Sequence, residues 1–220
     1  IGVGSRLIPM FLISKYTDDR MLWLIFALLN MALIGFSYLY LQGYSALLFY
    51  IPIVVVLVAI ALFGRHCFKA YKKRIRKSVD QQMKTSFIAV VQMLVVLIVA
   101  LGLLPVGEFR GIALLYGFCI FFGWLTTIIM GMTFKTMPFI IWNKVYHNRA
   151  HQGKTPAPKE LFNEGIYTVM LFSYLGGFVI FILGFIALNQ LVLKVAASAL
   201  VLAAILYVYN VMVTTMHKSR

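Results

Sequence analysis

Residues 112–138 read IALLYGFCIFFGWLTTIIMGMTFKTMP, and from Gly111 to Phe134 no residue carries a charge. A helix rises about 1.5 Å per residue, so a run of this length crosses a hydrocarbon core of about 30 Å. The run is continuous rather than alternating, which argues for a spanning helix and against a β-barrel strand. It closes on a cation, Lys135, three residues before Pro138. The rest of the chain is built the same way. It is 62% hydrophobic and 12% charged, with a mean hydropathy of +0.93. Soluble domains are about half apolar and a quarter charged, so the class is an all-α, polytopic transmembrane helix bundle.

Working outward from that run, further spans are expected at about 21–42, 46–63, 87–104, 166–188 and 191–215. The apolar stretch before Ser14 is too short to cross and reads as the tail of a truncated N-terminal span. The architecture is therefore about six full spans plus that tail, in a single transmembrane domain over 1–220. The chain opens without methionine or a signal peptide, and it reads as the C-terminal part of a longer protein. Pro52 is expected to kink its span. After Pro138, residues 139–149 suit an interfacial helix with Trp142 and Tyr146 at headgroup level. Cys67, in a basic loop, and Cys119, in mid-span, belong at different depths, so no disulfide is expected between them.

The formal net charge is +14. Nearly all the cations fall in loops 14–20, 64–86 and 136–165, in the C-terminal tail, or at the helix ends beside them. The opposite loops, 43–45, 105–111 and 189–190, hold only Arg110, with Lys194 slightly inside the next span. The positive-inside rule places the first set in the cytoplasm. Cations lying between spans point to anionic lipid rather than nucleic acid. Lys72, Lys73, Arg74, Arg76 and Lys77 are the expected lipid contacts, with an acidic cytoplasmic partner as the sharper alternative.

The lysine and proline recur. IGVGSRLIPMFLISK (1–15) aligns with MGMTFKTMPFIIWNK (130–144), pairing Gly2 with Gly131, Arg6 with Lys135 and Pro9 with Pro138. The G-x-x-x-[KR]-x-x-P pattern suggests one device used twice. The glycine would admit a neighbouring helix, the proline would bend or end the span, and the cation would snorkel or oppose the helix dipole. Each copy is followed by a loop and two spans. The chain therefore divides into parallel four-helix units at about 1–105 and 112–215.

The strings GVGSRLIPMFL and GMTFKTMPFIIW…VYH resemble the NnrS-type and haem-copper-oxidase subunit I-like bacterial membrane proteins. That resemblance implies parallel four-helix units and a respiratory or nitrogen-oxide-related system. In that class, histidines inside the spans bind haem. Here His66, His147, His151 and His217 all fall in loops or the tail, so haem is expected only through residues outside this chain.

No catalytic signature is present: there is no Walker motif, GxSxG or HExxH. His147 and His151, at i and i+4, are the candidate metal pair, but no third ligand is nearby. His66 and Cys67 read as a solvated interfacial pair. No Asp or Glu lies deep in a span, which removes the usual residues of proton relays and cation coupling. Asn30, Gln92, Thr126, Thr127, Ser173, Ser198 and Asn210 are expected to bond across helices. Tyr207, Tyr209 and Asn210 form an aromatic belt with an interhelical bond, or alternatively a quinone pocket. The reading is a membrane subunit of a haem-copper-oxidase-like protein, non-catalytic in this part. The alternatives are a small-solute or metal transporter and a structural component of a membrane complex; the expected partners are membrane lipids and other membrane subunits.

Overall fold

Short polar side chains set where the long helices begin. Asp18 accepts the Met21 N–H at 3.2 Å and opens α2 (Asp19–Leu41). Asn163 accepts the Ile166 N–H at 3.0 Å and opens α7 (Glu164–Ile186). Asn189 accepts from Leu191 and Val192 and opens α8 (Gln190–Thr215). Each cap satisfies donors that the first helical turn leaves free. The remaining helices are α1 (Gly2–Phe11), α3 (Tyr50–Lys72), α4 (Gln81–Leu103), α5 (Ile112–Phe118) and α6 (Thr127–Tyr146), with a π-helical segment at Cys119–Thr126. The computed structural model describes residues 1–75, 79–103, 111–146 and 155–217. Among these, six helices are long and apolar enough to cross a membrane, with Leu47–Lys72 and Ala113–Tyr146 each one span. The chain is thus an all-α, multi-pass membrane protein.

Three helices end in the same way. After α1, the Ile13 N–H bonds to the Met10 carbonyl and the Ser14 N–H to the Pro9 carbonyl; Tyr40 and Leu39 receive Gly43 and Tyr44 after α2; Phe185 and Gly184 receive Leu188 and Asn189 after α7. These paired bonds are the Schellman arrangement, which needs a left-handed residue. Gly43 supplies it at φ +65°, and Ile13 and Leu188 adopt it at φ +51°. For a β-branched residue this is strained. Ile13 is tied down from outside, because its carbonyl accepts the Ile75 N–H at 3.3 Å and Ser14 forms an isolated bridge with Arg74.

The chain forms two compact units, Ile1–Ile128 and Ile129–Arg220. In the first, α1 runs parallel to α3: Ile1 packs with the Ile60 cluster, a Cβ on Gly4 would lie 3.3 Å from Phe63, and Ser14 meets Arg74. α4 runs antiparallel to α3, with Tyr71 against Phe87 and Gly64 facing Val90 and Leu94. In the second unit, α6 runs parallel to α8, through Thr133–Tyr207 and Tyr146–His217. α7 and α8 are antiparallel and close. Cβ atoms built on Gly177 and Gly184 would lie 3.1 Å from Ala199 Cβ and 2.9 Å from Val192 Cγ1. Small residues at that seam let dispersion replace the hydrophobic effect, which is weak between helices in lipid. The outer faces are apolar, and α2 buries only Ile25 and Ala32 while Trp23, Phe26, Leu33 and Ile34 face outward.

Several expectations are corrected. α3 does not stop near Phe63 but continues to Lys72, and α4 begins at Gln81 rather than Phe87, so much of the supposed basic loop is helix. Pro52 lies in the first turn of α3, just after a 3-10 turn at Ala46–Phe49, and the helix runs on past it to Lys72, so it does not break the span. Helix α6 passes through Pro138 to Tyr146, and α1 passes through Pro9 to Phe11. Neither proline ends its helix. Arg6 therefore lies inside α1 rather than in its last turn. The close approach expected at Gly2 falls at Gly4, since a Cβ on Gly2 meets nothing within 4 Å.

Candidate functional site

A proline inside a helix has no N–H for the carbonyl four residues earlier. For Pro9 that carbonyl belongs to Ser5, and the imidazole of His66 on α3 faces it. The contact does not reach hydrogen-bond geometry. His66 is 1% exposed, and both ring nitrogens lack a partner among the described residues. The ring packs on Tyr16 at 5.2 Å between centroids. The Tyr16 hydroxyl donates to Asp18 Oδ2 at 3.1 Å. Lys73 and Lys69 stand over the Tyr16 ring at 5.1 and 5.8 Å, close enough for cation–π attraction. His66 and Cys67 are thus a buried pair in a helix, not a solvated one. α1 and the chain through Tyr16 cover this end of α3, and the lysine stems carry their charge outward.

The electrostatics outside the spans follow from these contacts. The Asp18 carboxylate is held below the usual aspartate range by the Met21 N–H and then by the Tyr16 hydroxyl, although desolvation opposes this. Burial pushes the Tyr16 phenol up, and the bond to Asp18 adds to it.

The second unit treats the corresponding region differently. Asn210, fully buried, accepts the Asn163 N–H and donates to the Asn163 carbonyl, both at 3.0 Å. The Tyr207 hydroxyl donates to Thr133 Oγ1 at 3.1 Å. These groups bond to one another and line neither cleft described below. Phe134, Phe162, Tyr167 and Tyr207 close over them as an aromatic cluster. Of the span polar residues, Ser173 does bond across, to the Ala199 carbonyl at 2.8 Å. Asn30, Thr126, Thr127 and Ser198 instead bond to carbonyls of their own helices, which a short side chain reaches without a partner helix. The Gln92 side-chain oxygen is buried with no partner among the described residues.

The first unit also holds an apolar cleft of about 500 Å³. Leu29, Val56, Met93, Val96, Tyr116 and Trp124 are among its walls. The π segment carries Trp124, and π turns in membrane helices often mark sites. Neither the Tyr116 hydroxyl nor the Trp124 N–H has a hydrogen-bond partner among the described residues. Such walls accept an apolar body with one polar end.

Of the motif residues, Arg6 is exposed, Pro9, Gly131 and Pro138 are buried, and Lys135 is half-buried. In the basic segment, Lys72 stands over Phe68 at 4.9 Å, and the Arg74 guanidinium stacks on Tyr71 at 3.9 Å while donating to its carbonyl. Arg76, Lys77, His147 and His151 lie outside the described residues. Among the described residues, no group of three His, Cys, Asp or Glu side chains is placed to hold a metal. Neither of these clefts is lined by a histidine.

No family model, curated protein or solved structure matches the chain. The class rests on the fold itself: a polytopic helical membrane protein.

Proposed function

We propose that this chain is a non-catalytic membrane module of the haem-copper-oxidase-like, NnrS-type class, serving a respiratory or nitrogen-oxide-related system in a bacterial inner membrane. One observation carries the reading. The Gly4–Phe63 contact of the first unit has its counterpart in Thr133–Tyr207 of the second. Gly4 and Thr133 are 129 residues apart, the offset of the repeated motif, and Phe63 and Tyr207 are 144 apart. In both places a proline-bearing helix runs parallel to the second span after it and antiparallel to the first. The offset grows because the second copy has a longer proline helix and a longer loop after it. Repeated parallel units of this kind are what the resemblance implies. The transporter alternative drew on broken helices, and α1 and α6 run unbroken through their prolines.

The test is spectroscopic. Tagged chain purified from its native membrane should carry a Soret band through its partner subunits, and chain expressed alone should carry none. A Soret band in the chain alone, or a native preparation free of haem, overturns the proposal. Solute uptake by vesicles containing only this chain would favour the transporter.

A further inference from the structure

A second cleft, of about 460 Å³, opens between α1 and α2 and is lined by Ser5, Arg6, Asp19, Leu22, Trp23 and Phe26. It shares no wall residue with the apolar cleft. Its charged groups are one guanidinium and one carboxylate, from different helices. Among the described residues neither makes an ion pair or a hydrogen bond. Two unpaired opposite charges in one cleft are a complementary surface for a ligand that carries both signs. The polarity is also graded by depth. Asp19 is in the first turn of α2, at the loop end, and Leu22, Trp23 and Phe26 follow on the same helix face toward the membrane interior. Trp23 is 70% and Phe26 59% exposed, so this face is open to an acyl chain.

We propose that this cleft binds the headgroup of a zwitterionic aminophospholipid of the phosphatidylethanolamine type. The guanidinium fork of Arg6 takes two phosphate oxygens. The primary ammonium bonds to Asp19 and lies against the face of Trp23. The glycerol and first acyl carbons run along Leu22 and Phe26. An anionic glycerol lipid pairs its phosphate with Arg6 but brings no cation for Asp19. A choline headgroup has no N–H for the carboxylate. The cleft is thus distinct in selectivity from the C-terminal end of α3, where Arg65, Lys69 and Lys72 make cations predominate. The inference depends only on the chain lying in a bilayer, whatever complex it serves.

The experiment is lipid retention. The purified chain is reconstituted in equal phosphatidylethanolamine and phosphatidylglycerol, stripped with mild detergent, and its retained lipid measured by native mass spectrometry. Wild type should retain phosphatidylethanolamine preferentially. Asp19→Asn should shift the retained ratio about five-fold toward phosphatidylglycerol, as expected for loss of one ion pair. Asp19→Glu should restore it. Arg6→Gln should lower retention of both lipids. A protein with Trp124→Phe and Trp142→Phe keeps Trp23 as its single tryptophan. Its fluorescence should be quenched more by brominated phosphatidylethanolamine than by the brominated glycerol lipid, and this readout serves even where a charge variant folds poorly. Equal quenching by the two lipids, or an unchanged ratio in a folded Asp19→Asn protein, overturns the proposal.

Discussion

His66 and Asn210 are both buried polar residues on a third-in-order helix, and each faces the segment that caps the helix before it. Their energetics should be opposite. Asn210 completes two bonds to the Asn163 backbone. Replacing it with leucine leaves a buried donor and acceptor unpaired, at a cost of about 1–3 kcal/mol. His66 has no partner to lose. A leucine there should hold stability within about 1 kcal/mol of wild type, or raise it. Unfolding in mixed detergent micelles compares the two. A large loss from His66→Leu would mean that the imidazole is bonded in the folded protein. The cap beside it carries a pH signature. The folded-state pKa of Asp18 is lowered, so its stabilisation is present above the ordinary aspartate range near 3.9 and is lost as pH falls through the lowered value. The stability gap between wild type and Asp18→Asn should therefore be open at pH 7 and close below about pH 4. A gap independent of pH would rule out the charge as its source.

At the scale of elements, the α7–α8 seam offers a sharp internal control. Gly176 and Gly177 are adjacent, yet a Cβ on Gly176 meets nothing within 4 Å while one on Gly177 meets Ala199, Ala196 and Leu200 at 3.1–3.2 Å. Gly177→Val should cost about 1–3 kcal/mol by overpacking, and Gly176→Val should be close to neutral. Equal losses at both positions would mean that helix propensity, not packing, governs this seam. The elements also show what the sequence made legible. Apolar runs fixed the spans because lipid leaves the backbone no alternative to helix. The extension of α3 was missed because Arg65, Lys69, Lys72 and Lys73 looked like a loop. The signal was nevertheless there: Ala59, Ile60, Phe63, Cys67 and Ala70 recur at helical spacing and form its buried stripe. Basic residues on the other face do not interrupt such a stripe. The bonding of Asn210 to Asn163 was not legible, since it depends on a meeting 47 residues apart along the chain.

For the whole molecule, the testable claim is sidedness. The described ends of α1 and α3 meet the start of α2, so Lys15, Asp18 and Lys72 share one side, and the turn at Gly43 lies at the other end of α2 and α3. The proposed orientation, taken from the charge distribution, puts the first side in the cytoplasm. In a background lacking Cys67 and Cys119, Lys72→Cys should react with an impermeant thiol reagent only after the membrane is opened, and Tyr44→Cys without opening. The reverse pattern would invert the topology. The native thiols are poor reporters because both are buried. The candidate sites were less legible than the topology. Arg6 stood out in the sequence as half of a repeat, but its cleft partner Asp19 reads as an ordinary helix-start acid until α1 is laid against α2.

The π segment at Cys119–Thr126 has a consequence for how this chain tolerates changes of length. A turn closed by i to i+5 bonds takes one residue more than an α-turn, and the Thr126 hydroxyl, on the Phe121 carbonyl at 2.8 Å, lies within this wider winding. The segment therefore holds slack. Deleting Ile120 should let one wide turn tighten to an α-turn, with the helix on either side keeping its phase. The same deletion at Val58, in regular α3, would turn everything beyond it by about 100°, moving His66 to the exposed position of Arg65 and Phe68 to the buried position of Cys67. Thermal unfolding and circular dichroism of the two deletion proteins should separate them, the first folding and the second not. The span that looked most uniform in sequence is in this sense the one with a built-in expansion joint.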